Sequence, residues 1–212
     1  VYYYYLDTLL DGTIFPNIQA FKLQPFYGDI HIPALSGSFE NDEGVCRRIL
    51  DAMPNLKHLV VPNSPNKAFF ELESHPLLRL DVQSFWYDNQ HFIENLTHSR
   101  CFKALKYLRF TESLHDSRVS GDKVSYERYL EFFTKANLPN LKEVELRNTT
   151  LNVKQIKALR STPLGARLNK LQCSQEYPTE RVFLQRDIIT GEVLQTMWQD
   201  NNDWRNQKYP IT

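Results

Sequence analysis

The run Leu141-Lys142-Glu143-Val144-Glu145-Leu146-Arg147-Asn148 places apolar residues at its first, fourth and sixth positions. Val144 and Leu146 are two apart, the period of a strand, so both face one side while Glu143, Glu145 and Arg147 face the other. Leu141 falls three residues earlier, in the turn that leads into the strand. The same apolar-x-x-apolar-x-apolar frame recurs in Leu56-Lys57-His58-Leu59-Val60-Val61, Leu77-Leu78-Arg79-Leu80-Asp81-Val82, Leu105-Lys106-Tyr107-Leu108-Arg109-Phe110 and Leu168-Asn169-Lys170-Leu171-Gln172-Cys173. Ile18-Gln19-Ala20-Phe21-Lys22-Leu23 fits it too.

Three of these segments follow the same lead-in, Phe15-Pro16-Asn17, Met53-Pro54-Asn55 and Leu138-Pro139-Asn140. A Pro-Asn turn ends what precedes it and forces an extended approach to the strand. Between the strands the apolar period changes to that of a helix. Gly44–Met53 carries Val45, Ile49, Leu50 and Met53, and Gln90–His98 carries Phe92, Ile93 and Leu96. Ser125–Ala136 carries Tyr129, Leu130, Phe132 and Phe133 behind a Ser125 cap, and Asn152–Arg160 carries Val153, Ile156 and Leu159 behind Asn152. Strand then helix, several times over, is the unit of a right-handed solenoid. Segment starts at 18, 56, 77, 105, 141 and 168 are separated by 38, 21, 28, 36 and 27 residues. The two longest spacings predict insertions around 28–41 and 113–123.

On these segments the chain resembles the leucine-rich repeat family, closest to irregular, ribonuclease-inhibitor-like members. Leu9-Leu10-Asp11-Gly12-Thr13-Ile14-Phe15-Pro16-Asn17-Ile18 is similar to the opening of a repeat in many bacterial proteins of that family. Three of the five spacings lie within the roughly 20–29 residues of such repeats. Asn63 and Asn148, just past two of the strands, are expected to supply the asparagine of the family pattern LxxLxLxxN. Phe21, Phe110 and Cys173 depart from it by replacing leucines. The resemblance implies an α/β right-handed solenoid over residues 1–175, with about six repeats, a parallel concave sheet and helices on the convex side. Residues 176–212 then form a C-terminal capping segment and tail. There, Arg181–Gln185 and Glu192–Thr196 read as strands of a hairpin through Thr190-Gly191, while Val193, Leu194, Met197 and Trp198 also fit one helical face, packed inward. Trp204 and Tyr209 belong to the polar tail.

In that architecture the alternate strand residues line the concave surface. His58, Arg79, Asp81, Tyr107, Arg109, Glu143, Glu145, Arg147 and Lys170 are the candidate partner-binding residues. Their mixed charge suits a protein partner better than nucleic acid, which needs a basic stripe with stacking aromatics. The same charges can also simply neutralise one another across strands. A second candidate is the rim just after the strands, Phe26 and Tyr27 and then Phe85, Trp86 and Tyr87. Aromatics there serve either as binding anchors or as packing for long loops.

The 212 residues carry 25 Lys+Arg against 25 Asp+Glu, so no net charge draws the chain to nucleic acid or an anionic membrane. No HExxH, GxSxG, P-loop or GxGxxG occurs, and seven glycines leave little material for a phosphate-cradling loop. The six histidines are scattered singly, and His91 and His98, seven apart, share a helix face without an obvious carboxylate partner. No metal, cofactor or catalytic constellation is expected. Cys46, Cys101 and Cys173 are too few and too dispersed for a disulfide framework and read as buried thiols of a cytoplasmic protein. The expected function is a non-enzymatic module that binds a protein partner. The alternative is a targeting or regulatory domain of a longer polypeptide, since the chain opens Val1-Tyr2-Tyr3-Tyr4-Tyr5 with no initiator methionine.

Overall fold

The computed structural model describes residues 6, 9–23, 44–84, 89–112, 123–178 and 182–198, with the side chains of 176–178, 182, 183 and 195–198 excepted. Among the described residues eight strands form one sheet in sequence order: β1 Ala20–Lys22, β2 His58–Val61, β3 Arg79–Gln83, β4 Tyr107–Thr111, β5 Glu143–Arg147, β6 Lys170–Pro178, β7 Val182–Asp187 and β8 Val193–Trp198. The pairings from β1 through β6 are parallel, and β7 and β8 add as antiparallel strands. Helices α1 Val45–Ala52, α2 Phe92–His98, α3 Tyr126–Lys135, α4 Val153–Arg160 and α5 Pro163–Arg167 occupy the connections. The protein is therefore α/β, with a mostly parallel sheet that is not closed into a barrel.

The alternation read from the six segments sets which face is covered. Leu59 and Val61, Leu80 and Val82, Leu108 and Phe110, Val144 and Leu146 enter one apolar core together with Ile49, Leu96, Phe133, Leu159 and Leu164 from the five helices. The residues between them stand on the opposite face.

Local chemistry explains where the helices begin. Ser125 accepts a hydrogen bond from the Arg128 amide, and Asn152 forms a reciprocal capping box with Gln155. Two Pro-Asn lead-ins also bond to the lead-in before them. Asn55 Nδ2 donates to the Pro16 carbonyl at 3.0 Å, and Asn140 Nδ2 donates to the Lys103 carbonyl at 2.9 Å. Each bond reaches one residue before the equivalent position of the preceding lead-in, 39 and 37 residues back.

The structure corrects several readings. Counted in the LxxLxLxxN frame, Asn63 and Asn148 come one residue early, and Ser64 and Thr149 hold the ninth position. Asn148 takes a left-handed φ of 58° just after β5, and its Nδ2 reaches the Glu112 carbonyl at 3.5 Å. Gln175 Nε2 continues the bridging to the Thr149 carbonyl at 3.0 Å, and the Ser64 and Ser84 hydroxyls hydrogen-bond each other. Mixed side chains thus join the strand ends in place of an asparagine ladder. Val193–Trp198 is a strand, so the helical alternative for that stretch falls away; whether Met197 and Trp198 pack inward concerns side chains outside the described residues. Two short elements went unanticipated: α5, which Thr162 caps with Pro163 in its first turn, and a 3-10 turn at Lys67–Phe70. That turn buries Phe69 and Phe70 against Phe102 and Phe92, with ring centroids 5.0 and 5.6 Å apart. The insertion residues 28–41 and 113–122 and the tail with Trp204 and Tyr209 lie outside the described residues.

Candidate functional site

Parallel pairing puts residues of the face opposite the core into rows that run across the strands. The first row is Ala20, His58, Arg79, Tyr107, Glu143 and Lys170. The second is Lys22, Val60, Asp81, Arg109, Glu145 and Gln172. Gln83, Thr111, Arg147 and Ser174 make the third. All nine residues proposed for this face stand in these rows. The five proposed rim residues, Phe26, Tyr27, Phe85, Trp86 and Tyr87, lie outside the described residues.

Arg109 is the hub of the second row. Its Nη1 donates to Asp81 Oδ2 and its Nε to Glu145 Oε2, both at 2.8 Å. Glu145 also receives the Lys170 ammonium at 2.8 Å and lies 3.5 Å from the Arg147 guanidinium. Burial alone would raise the Glu145 carboxyl, but Arg109, Lys170 and Arg147 together outweigh it and hold the group at about 2. Side chains of Asp81 and Glu145 are only 5% and 8% exposed, whereas that of Lys170 is 45% exposed. The anions therefore lie at the base of the face and the cations toward solvent.

The first row is built differently. The Arg79 guanidinium lies 3.7 Å from the centroid of the Tyr107 ring, a cation–π contact. Neither Arg79 nor Glu143 enters an ion pair among the described residues. The Tyr107 hydroxyl is buried without a hydrogen-bond partner among the described residues, and burial pushes it well above the usual tyrosine range. His58 is exposed and enters no ion pair or hydrogen bond among the described residues. The face offers charges held by their neighbours and a guanidinium resting on an aromatic ring, suited to holding another molecule's charged groups by hydrogen bonding.

Sequence reading missed two polar features. The face continues onto the hairpin, where Gln185 Nε2 donates to Ser174 Oγ at 2.7 Å and Gln172 Nε2 reaches Asp187 Oδ2 at 3.5 Å. The hairpin was legible, but its register against β6, which sets Ser174 opposite Asp187, was not. Glu112, one residue past β4, is fully buried. Its place beside the core residue Phe110 was the available signal. His91 and His98 do have carboxylate neighbours: His91 Nδ1 is 3.4 Å from Glu94, and His98 Nε2 is 3.9 Å from Glu131. Among the described residues no group of three His, Cys, Asp or Glu side chains is placed to hold a metal, and no helix is long and apolar enough to cross a membrane. The chain matches no family model, no curated protein and no solved structure.

Proposed function

We propose that the chain is an irregular leucine-rich repeat solenoid, right-handed and similar to the ribonuclease-inhibitor-like, bacterial type, and that it acts in the cytoplasm as a non-enzymatic module binding a protein partner. The sequential order of six parallel strands with helices between them supports the solenoid reading. The observation that carries the binding function is the polar sheet face opposite the core, which combines charge hubs locked in place with Arg79 and Glu143, neither of which enters an ion pair among the described residues. Immobilised, partly desolvated charges with free neighbours suit specific recognition of a protein surface. The same groups favour binding over catalysis. Glu145 is ionised at every physiological pH and Tyr107 is pushed far above neutrality, so neither is poised to exchange a proton.

The test is an unbiased random-peptide display selection against the folded protein, repeated on a His58→Ala/Arg79→Ala/Lys170→Ala variant of unchanged circular dichroism. Enriched peptides that bind the wild type and lose the variant are expected. Failure to recover any binder sensitive to the three substitutions overturns the proposal.

A further inference from the structure

Counting charges in the three rows gives five cations, Lys22, Arg79, Arg109, Arg147 and Lys170, against the three anions Asp81, Glu143 and Glu145. The structure changes what that count means to an approaching molecule. Arg109 is consumed by Asp81 and Glu145, which are nearly buried beneath it. Glu143 alone among the three carboxylates remains outside the network. Lys22 and Lys170 are exposed, and Lys170, which gives one N–H to Glu145, has others to offer. The Arg79 side chain makes no hydrogen bond or ion pair among the described residues, and its guanidinium carbon lies 3.7 Å from the Tyr107 ring centroid. A guanidinium resting against an aromatic ring is restrained in position and keeps its N–H donors for the two oxygens of a carboxylate.

We infer that Arg79 and Lys170 anchor two carboxylates of an extended acidic segment of the protein partner, laid across the strands of this face. The inference rests on the binding function proposed above and names the partner's chemistry. β3 and β6 are three strand spacings apart, about 14 Å at roughly 4.8 Å per spacing. An extended chain advances about 3.3 Å per residue, so acidic residues four apart span roughly 13 Å and reach both anchors. Glu143 stands in the same row between Tyr107 and Lys170 and repels an acidic residue there. The recognised pattern is therefore acid-x-x-x-acid with uncharged or basic residues between.

The probe is the synthetic peptide Gly-Ser-Glu-Ser-Gly-Ser-Glu-Ser-Gly, compared with its counterpart carrying Gln at both Glu positions. Titration is followed by nitrogen–proton correlation NMR at about 50 mM salt, including the arginine side-chain Nε–H signals. The acidic peptide is expected to shift the Arg79 Nε–H signal and the β3–β6 amides, and the Gln peptide is not. Arg79→Gln should weaken binding at least about 10-fold and Arg79→Lys by less, since it keeps the charge but loses the fork. Arg160→Gln, on the exposed end of α4, should leave it unchanged. Equal response to both peptides, or unaltered affinity in Arg79→Gln, overturns the inference. The display selection separates the two failures. Peptides that depend on the face but lack acidic residues leave the module standing and sink this inference, whereas no such peptides at all sink the module.

Discussion

Tyr129 on α3 donates its phenolic hydrogen to Glu112 Oε1, 2.7 Å away in the interior. The other carboxylate oxygen accepts the Val124 amide at 2.9 Å. One buried side chain thus ties the end of β4 to the start of the α3 segment. Tyr129→Phe removes one donor and leaves the oxygen unsatisfied, at an expected cost of about 1–3 kcal/mol in urea denaturation. Burial raises the Glu112 carboxyl above the ordinary 4.5, against the opposing pull of Tyr129, Lys123 and Val124. A carboxyl raised in the folded state contributes stability below the unfolded value and loses it as pH rises through the folded one. The stability advantage of wild type over Glu112→Gln should therefore grow as pH falls from neutrality toward 4.5. An advantage that shrinks over that range would show the carboxyl is not raised.

Glu145 has the opposite sign. Held at about 2 by Arg109, Lys170 and Arg147 despite its burial, it stabilises the fold above the ordinary value of 4.5, by on the order of 3 kcal/mol, and loses this as pH falls toward 2. Arg109→Met leaves Asp81 and Glu145 without their shared cation and should cost about 3–5 kcal/mol. Replacing Asp81, Arg109 and Glu145 together with Leu, Met and Leu should recover most of that loss, because no unpaired charge remains between them. Thermal and urea unfolding of the single and triple variants compare the two. Recovery of none of the stability would mean the network's value lies in geometry beyond charge pairing.

The same network shows how far sequence reading reached. Alternation in six short runs was enough to place the polar-face residues from Ala20 to Lys170 in their rows, because only one register of the parallel strands points the apolar residues of all six runs inward. Capping by Ser125 and Asn152 was legible because those side chains act on amides three residues away. What escaped depends on distance in sequence. The depth difference between Asp81 and Lys170 follows from side-chain length and from which partners lie one strand over, and no local pattern carries it. Charge reversal at Arg109 or Glu145, attractive from the sequence, would set a carboxylate at 109 beside Asp81 or a cation at 145 beside Lys170. It would test the fold more than the interface. The Glu112–Tyr129 contact, 17 residues apart, is invisible to periodicity for the same reason.

All three cysteines are free and buried. Burial pushes the Cys101 thiol up to about 11 and the Cys173 thiol up to about 12, where the reactive thiolate is scarce at neutral pH. Ellman's reagent should label none of the three rapidly in the native protein and all three in concentrated urea. Rapid native labelling at either Cys101 or Cys173 would mean that site opens locally.

Two glycine-to-alanine changes should fail for different reasons. Gly12 has a φ of +103° with open space around it, so alanine there costs only backbone strain, about 1 kcal/mol. Gly165 sits in the first turns of α5, where a Cβ would come within 2.0 Å of the Leu159 carbonyl oxygen and 2.9 Å of the Arg160 Cα. Both obstacles are backbone, so α5 must move off the end of α4, taking with it the Thr162 cap and the buried Leu164. Gly165→Ala should cost about 2 kcal/mol or more and raise amide exchange across 162–168, whereas Gly12→Ala should leave exchange there unchanged. Equal costs for the two substitutions would mean α5 has room to shift freely, and the close approach of the two helices would then not be what requires glycine at 165.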